Sequence, residues 1–282
     1  MPLTQLAGLA VRTWGDVSPE QPTVVALHGL TSTSAVWADL AARLPTVPVV
    51  APDLPGRGGS VDVPVAPGLA GLAGAVVRAV DALGLRRVVV VGHSMGAFLA
   101  PLVVQQLGER VVAVVLLDGG VPPERSVLLR PLVVRALFTL QMRRTVRTWP
   151  DVDAYTRVAE GGAAAHRPDL HAGFHAWSEA VLEPHAGGFR PRLDVRRLVA
   201  DAVDTLGRPA HLPELRATAA PVHLIAAARG ADDTRPAFLS DGAIAAGQEV
   251  LPGLTWERAQ ANHATVLFEP ATASVVTDLL SR

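Results

Sequence analysis

The residues with the clearest chemical potential form the pentapeptide GHSMG at 92–96, in which Ser94 lies between two glycines in a G-x-S-x-G pattern. A serine hydroxyl is a poor nucleophile until a base accepts its proton. A run of valines precedes the pentapeptide, and an apolar stretch at helical spacing, 97–107, follows it. This strand–turn–helix context predicts a sharp turn that exposes the hydroxyl above a sheet and leaves no space for a Cβ at either glycine. The alternative is an ordinary strand-to-helix turn with a solvated serine.

Position along the chain decides which of the nine histidines acts as the base. An imidazole suits this task near neutral pH. His263 lies in a loop after the last predicted strand and before the last helical region, and we predict that it is the base. His28 follows an earlier strand and His93 flanks the serine, so both are interpreted as structural. The others fall in the middle of the chain, where a solvated histidine is expected, or in a predicted strand: His166, His171, His175, His185, His211 and His223.

The elements that must position these residues begin as an alternation of short β-branched runs and helical stretches, which predicts a mostly parallel sheet. Buried strands are predicted at 23–27, 47–51, 87–91, 111–117 and 221–226, and an antiparallel edge strand at 9–13. Between the last two of these buried strands, Pro and Gly interrupt the chain and no strong β-branched run occurs. We therefore predict a core formed by residues 1–120 and 214–282, with a helical cap at 121–213.

With these elements placed, the sequence resembles the α/β-hydrolase family. His28-Gly29-Leu30 resembles the family's oxyanion turn, and DLPGRGGS at 53–60 resembles its D-x-P-G-x-G-x-S loop. His263 follows the last strand, where the family keeps its histidine. The resemblance implies an α/β class protein with the α/β-hydrolase fold: a mostly parallel central sheet flanked by helices, with a helical cap insertion. It also implies a serine hydrolase that needs no cofactor and no metal.

Two places along the chain offer an acid that would orient His263, and both keep the order Ser, acid, His. Asp118 ends the strand at 111–117, 24 residues after Ser94 (118 − 94). Asp232 and Asp233 follow the strand at 221–226, where most of the family carries the acid, but later than the family pattern expects. We predict Asp118, a placement that resembles polyketide thioesterases and zearalenone-type lactone hydrolases, and keep Asp232 in reserve. The competing interpretation of Asp118 is a capping aspartate at a strand-to-loop junction.

The remaining site residues are predicted from their places relative to the motifs. The oxyanion hole is expected to use the backbone N–H groups of Leu30 and Met95. The substrate-binding wall is predicted to include one residue near the oxyanion turn and several from the cap: Trp37, Phe138, Met142 and Trp177, with Trp149, Tyr155 and Phe174 as further candidates. For each of these side chains, packing within the protein core is the alternative.

Composition excludes several classes of function. The formal net charge of −1 gives no global field toward nucleic acid or an anionic membrane, and neither is expected as a partner. The chain contains no cysteine, which excludes disulfides, thiolate metal sites and a cysteine nucleophile. No targeting or membrane-spanning pattern is evident, and a cytoplasmic protein is expected.

Two features of the cap segment carry weaker alternatives. His171 and His175, four residues apart, would form half of a metal site on one helix face, but no convincing third ligand is evident and no metal is expected. The cap also contains a basic stretch, which we interpret as a solvated face rather than a site for an acidic partner: Arg130, Arg135, Arg143, Arg144 and Arg147.

The predicted chemistry is hydrolysis of a carboxylic ester or lactone of an uncharged, hydrophobic small molecule, through an acyl-enzyme on Ser94. Three alternatives share the fold: a carbon–carbon bond hydrolase, a thioesterase and a cofactor-free haloperoxidase. A fourth belongs to another class, a slow-turnover, receptor-like protein that binds its ligand. The fold and the triad leave the identity of the substrate and the oligomeric state open.

Overall fold

The protein is described by a computed structural model that covers residues 3–124, 130–160, 167–207, 211–231, 233 and 236–281. The described residues form a central eight-stranded sheet of order β1-β2-β4-β3-β5-β6-β9-β10. Its strands are β1 (Thr4–Leu6), β2 (Leu9–Trp14), β3 (Thr23–Leu27), β4 (Val49–Pro52), β5 (Val88–His93), β6 (Val111–Leu117), β9 (Val222–Ala227) and β10 (Leu254–Ala259). The strands from β4 onward in this order are parallel to one another, whereas β2 pairs antiparallel with both β1 and β4.

One strand lies elsewhere in the sheet than the sequence predicts. The run at 9–13 was expected at the sheet edge, but β2 lies one position inside it, because the three-residue β1 pairs with its outer side. Strand β1 is only three residues long and its side chains are largely exposed. It therefore lacks the hydrophobic periodicity that identifies longer strands.

The continuous apolar runs form the middle of the sheet because both of their faces are covered. Val25, Val90 and Leu116 belong to the hydrophobic core on one side, and Val24 and Val91 belong to the core on the other. Successive side chains of a strand point to opposite faces, so a run of valines supplies both cores at once.

Helices cover the two faces of the sheet and complete these cores. They are α1 (Ala38–Arg43), α2 (Leu69–Ala82), α3 (Met95–Leu107), α8 (Asp241–Val250) and α9 (Pro270–Leu280). Helices α2, α3 and α8 contribute to the core that contains Val25, and α1 and α9 contribute to the opposite one. Helix α3 follows β5 with one residue between them, and that residue is Ser94.

The segment between β6 and β9 contributes no strand to the central sheet in its described part. It contains α4 (Pro131–Thr145), α5 (Val152–Glu160), α6 (His171–Val181) and α7 (Val195–Leu206), where α4 packs against α7 and α5 against α6. It also contains a two-stranded antiparallel hairpin, β7 (Leu182–His185) with β8 (Gly188–Pro191), that the sequence analysis did not predict. Residues 125–129, 161–166 and 208–210 of the predicted cap lie outside the described residues. Within the described ranges, no helix is both long and apolar enough to cross a membrane.

Candidate active site

Ser94 occupies a strained turn between β5 and α3. Its backbone has φ 53° and ψ −119°, a conformation that non-glycine residues rarely adopt. The two flanking glycines are required by close backbone contacts. A Cβ on Gly92 would lie 2.4 Å from the carbonyl oxygen of Gly96, and a Cβ on Gly96 would lie 2.0 Å from that of Leu27. The turn therefore places the serine side chain above the carboxyl ends of the strands, where parallel sheets hold their sites.

His263 and Asp118 complete a hydrogen-bonded chain with Ser94. The distance from His263 Nε2 to Ser94 Oγ is 2.9 Å, and the distance from His263 Nδ1 to an Asp118 carboxylate oxygen is 2.6 Å. A carboxylate accepts hydrogen bonds, so Nδ1 of the neutral imidazole carries the proton and Nε2 is free to accept one from the serine hydroxyl. The Asp118 side chain is fully buried, whereas 24% of the His263 side chain is exposed. This arrangement can activate a hydroxyl nucleophile at the surface of a cavity.

The structure distinguishes between the two candidate acids. The second carboxylate oxygen of Asp118 accepts the backbone N–H of Ala227 at 3.0 Å, which fixes the carboxylate against the end of β9. Asp233 instead accepts hydrogen bonds from Arg229 Nε at 2.7 Å and from Asn262 Nδ2 at 3.3 Å. Asp232 lies outside the described residues. Among the described aspartates, Asp118 is the one that contacts His263, whereas Asp233 contacts Asn262 in the same loop.

The His263 loop is held by contacts that the sequence analysis did not find. The His263 N–H donates to the carbonyl of Gly230 at 2.9 Å, and the His263 carbonyl accepts His93 Nε2–H at 2.8 Å. The amide oxygen of Asn262 accepts hydrogen bonds from the backbone N–H groups of Ala264 and Thr265. The only sequence signal for these contacts is an asparagine beside the histidine, a residue that commonly caps turns with its side chain.

His28 fixes the oxyanion turn. Its Nε2 accepts the Leu54 N–H at 2.9 Å, so its Nδ1 carries the proton and donates to the Gly29 carbonyl at 2.8 Å. The Leu30 N–H belongs to the same planar trans peptide as that carbonyl and points in the opposite direction. Met95 is the first residue of α3, where backbone N–H groups have no partner within the helix. Leu30 and Met95 both line the cavity beside Ser94, as an oxyanion hole requires.

A fully buried ion pair, Arg57 with Asp201, joins the oxyanion turn to helix α7. Arg57 donates to the carbonyl of Leu30 at 2.9 Å, to the carbonyl of Pro55 at 2.7 Å, and to Asp201 of α7 at 2.5 Å. The other Asp201 oxygen accepts the Gly68 N–H at 2.7 Å. Neither side chain of the pair is exposed to solvent. The loop at 53–60 therefore has a structural task, which is to connect the oxyanion turn with α7.

A cavity of about 900 Å³ opens beside Ser94 and His263. Phe138 and Trp177, two of the residues predicted for its wall, line it. Trp177 Nε1 also donates to Ser32 Oγ at 2.9 Å, which joins α6 to the loop after β3. Several further apolar side chains form the remaining wall: Val36, Phe98, Trp149, Tyr155, Val158, Phe174, Phe238, Leu267 and Phe268.

Two predicted wall residues are placed elsewhere, and these predictions are corrected. Trp37 is fully buried in the core beneath the sheet, and its neighbour Val36 lines the cavity in its place. Met142 is fully buried in a cluster with Leu198 and Val199, between α4 and α7, and does not line the cavity. In both cases residue type suggested a wall position, but the rotation of the local helix turns the side chain into a packed core.

The wall also contains residues that the sequence analysis did not assign to it. Phe238, in the chain between β9 and α8, lies with its ring centre 5.3 Å from that of His263, and no periodic pattern marks this position. Arg144 and Arg147 line the cavity as well, although the sequence analysis assigned them to a solvated face.

The histidine pair considered above as half of a metal site contacts acidic side chains. His171 Nδ1 lies 2.6 Å from Glu160, and His175 Nε2 lies 3.1 Å from Asp153. Within the part of the chain that the structure describes, no group of three or more His, Cys, Asp or Glu side chains is arranged to hold a metal ion.

Burial of His93 makes the stability of the protein depend on pH. Burial lowers the pKa of His93 from 6.5 to about 3, so the folded protein keeps this imidazole neutral while the unfolded chain binds a proton below about pH 6.5. Stability is therefore lost as the pH falls. We expect this histidine to contribute about 2 kcal/mol to the decrease in unfolding free energy between pH 7 and pH 5.

Urea unfolding of the wild type and of His93→Gln at both pH values tests this prediction. Glutamine can place an amide donor where His93 Nε2 meets the His263 carbonyl, but it does not titrate. The decrease in unfolding free energy between the two pH values should be smaller in the variant. An equal decrease in both proteins would contradict the prediction.

The fold and the hydrogen-bonded chain of Ser94, His263 and Asp118 are typical of hydrolases built on an α/β sheet. Comparison with known proteins gives the family: the sequence matches the Alpha/beta hydrolase family over residues 24–276, and the chain belongs to this family. Lipase LipV of Mycobacterium tuberculosis is 34% identical over 125 residues, which cover 42% of this chain and 44% of the lipase. The matched segment thus spans less than half the length of that curated relative.

Solved structures with similar folds extend over nearly the whole chain. The E-2-(acetamidomethylene)succinate hydrolase structure has a TM-score of 0.81 and 21% identity, and the match covers 99% of both chains. A thioesterase domain from the curacin biosynthetic pathway has a TM-score of 0.74 and 21% identity, covering 98% of this chain and 97% of that one. At these identities, the likeness concerns the fold.

Proposed function

We propose that this protein hydrolyses a carboxylic ester or lactone through an acyl-enzyme formed on Ser94. The observation that carries the proposal is the continuous hydrogen-bonded chain from Asp118 through His263 to Ser94, with distances of 2.6 and 2.9 Å, at the wall of a largely apolar cavity. Membership in the Alpha/beta hydrolase family and the match to a lipase support the same class of reaction.

In the proposed first step, Ser94 Oγ attacks the ester carbonyl while His263 Nε2 accepts its proton. The imidazolium that forms is stabilised by the buried Asp118 carboxylate, which also holds the tautomer with Nδ1 protonated. Collapse of the tetrahedral intermediate transfers the proton from Nε2 to the departing alkoxide. Water, activated by the same histidine, then releases the acid and restores the serine.

The negative charge of each tetrahedral intermediate develops on the former carbonyl oxygen. The N–H groups of Leu30 and Met95 are proposed to receive this oxygen. His28 and Arg57 hold the Leu30 side of the hole from behind, through the Gly29 and Leu30 carbonyls. Loss of one such donor typically costs about 2.7–4 kcal/mol of transition-state stabilisation.

The dimensions and lining of the cavity favour a small-molecule substrate. A volume of about 900 Å³ lies within the usual range for pockets that enclose small ligands. Phe138, Phe174 and Trp177 supply apolar and aromatic area against which an acyl chain or lactone ring would pack.

Hydrolysis of 4-nitrophenyl esters of graded acyl length, followed by intact-protein mass spectrometry of rapidly acidified samples, tests the proposal. We expect multiple turnovers and an acyl adduct whose mass follows the ester used and which maps to Ser94. A single stoichiometric event without turnover would favour the slow, receptor-like alternative. Absence of both turnover and adduct with esters and lactones would contradict the proposed reaction.

A further inference from the structure

The cavity wall carries positive charge at one side. Arg144, near the carboxyl end of α4, and Arg147, two residues beyond this helix, both line the cavity. Among the described lining residues there is no aspartate or glutamate. Gln141 lies on the same stretch of wall and adds an amide group that can donate hydrogen bonds, whereas the Thr145 hydroxyl beside it donates to the Gln141 carbonyl.

These two guanidinium groups have no carboxylate partner within the described part of the chain. Other arginines of the protein do have one: Arg43 pairs with Asp39, Arg110 with Asp81, and Arg167 with Asp169 and Glu269.

Arg147 is held at the wall by stacking rather than by an ion pair. Its guanidinium carbon lies 4.1 Å from the ring centre of Trp149, and Trp149 is itself buried and lines the cavity. Stacking on an aromatic face leaves the edge N–H donors of a guanidinium available. Its planar fork of donors matches the two oxygens of a carboxylate or phosphate.

We infer that the cavity selects substrates that carry an anionic group, a carboxylate or a phosphate, apart from the carbonyl that Ser94 attacks, with Arg144 and Arg147 as its binding residues. The inference rests on the proposed hydrolytic function and adds the substrate class. It departs from the uncharged substrate expected from the sequence, because both arginines, although exposed, also line the cavity. A concave wall with two cations and no anion concentrates positive potential where an anionic ligand enters.

Matched pairs of substrates test the inference. One pair is the mono-4-nitrophenyl ester of adipic acid, with a free terminal carboxylate, and its terminal methyl ester. The other pair is S-butyryl-4′-phosphopantetheine, which carries a phosphate on the leaving group, and the uncharged S-butyryl-pantetheine. The measured quantity is the ratio of kcat/KM for the anionic and the neutral member of each pair. We expect the wild type to prefer the anionic member of at least one pair, and that pair identifies the carboxylate or the phosphate as the ligand.

In the Arg144→Gln/Arg147→Gln double variant, this preference should fall by about 10- to 100-fold, the usual effect of losing charged hydrogen bonds. Arg143→Gln is the matched control, because Arg143 lies on the same helix, is exposed and does not line the cavity. Its ratio should equal that of the wild type. Arg147→Lys retains the positive charge but loses the planar guanidinium that stacks on Trp149, and it should keep part of the preference. This variant separates the effect of the charge from that of the guanidinium geometry.

The outcomes separate this inference from the proposed function. If the wild type hydrolyses the neutral esters through Ser94 but shows no preference for an anionic partner in either pair, the inference is overturned and the hydrolase remains. The same holds if the double variant keeps the wild-type ratios. If no ester or thioester of either pair is hydrolysed, the proposed function itself fails.

Discussion

Replacement of Ser94 by alanine is expected to abolish ester hydrolysis and labelling by a fluorophosphonate probe while the protein remains folded. In another serine hydrolase, removal of the nucleophile costs about 10⁶-fold in kcat, and a loss of about 10⁴- to 10⁶-fold is expected here. The fold should tolerate the change. The substitution removes the hydrogen bond to His263 but keeps the bond from the Ser94 N–H to the Leu117 carbonyl of β6, which holds the backbone of the turn.

The matched control is Ser32→Ala. Ser32 also lines the cavity, and its hydroxyl accepts a hydrogen bond from Trp177. This variant should still be labelled by the probe, because Ser32 has no histidine to activate it. Labelling of Ser94→Ala at the wild-type rate, with unchanged circular dichroism, would place the nucleophile at another residue.

Asp118→Asn is expected to lower kcat by about 10⁴-fold, as amide replacement of the corresponding acid does in a serine protease. An asparagine in this place can present its NH₂ group to His263 Nδ1, which favours the tautomer with Nε2 protonated. That tautomer cannot accept the serine proton. Steady-state kinetics with a 4-nitrophenyl ester measures the loss, and unfolding curves monitor the buried contact with Ala227.

Asp233→Asn supplies the comparison, because Asp233 contacts Arg229 and Asn262 rather than His263. Its expected effect on kcat is much smaller than that of Asp118→Asn. Asp232→Asn is likewise expected to be mild. A larger loss from either of these variants than from Asp118→Asn would reject the assignment of the acid.

The turn that holds Ser94 was predictable because it follows from local rules. A valine run followed by G-x-S-x-G and an apolar helix predicts a turn whose glycines are needed at close backbone approaches, and the structure has this turn. The placement of Asp118 followed from its position at a strand end beside the strand that precedes Ser94. The choice against Asp233 depended on which carboxylate faces His263, and this is a long-range property that spacing alone does not determine.

The cavity wall was less predictable. Trp37 and Met142 are large apolar residues, and such residues pack equally well in a core or around a ligand. The rotation of each helix about its own axis decides between the two, and both side chains face cores. Arg144 is exposed, as residues of a charge run usually are, but the position of α4 also places it on the cavity wall.

The buried contact between Arg57 and Asp201 limits how a substrate can enter. Displacing α7 from the core would separate the two groups and leave an unpaired charge in a region without water, at a cost of about 3–5 kcal/mol. An open state of that kind would be populated in about one molecule in 160 to one in 5,000. We therefore expect α7 to keep its place on the core while substrate enters and product leaves.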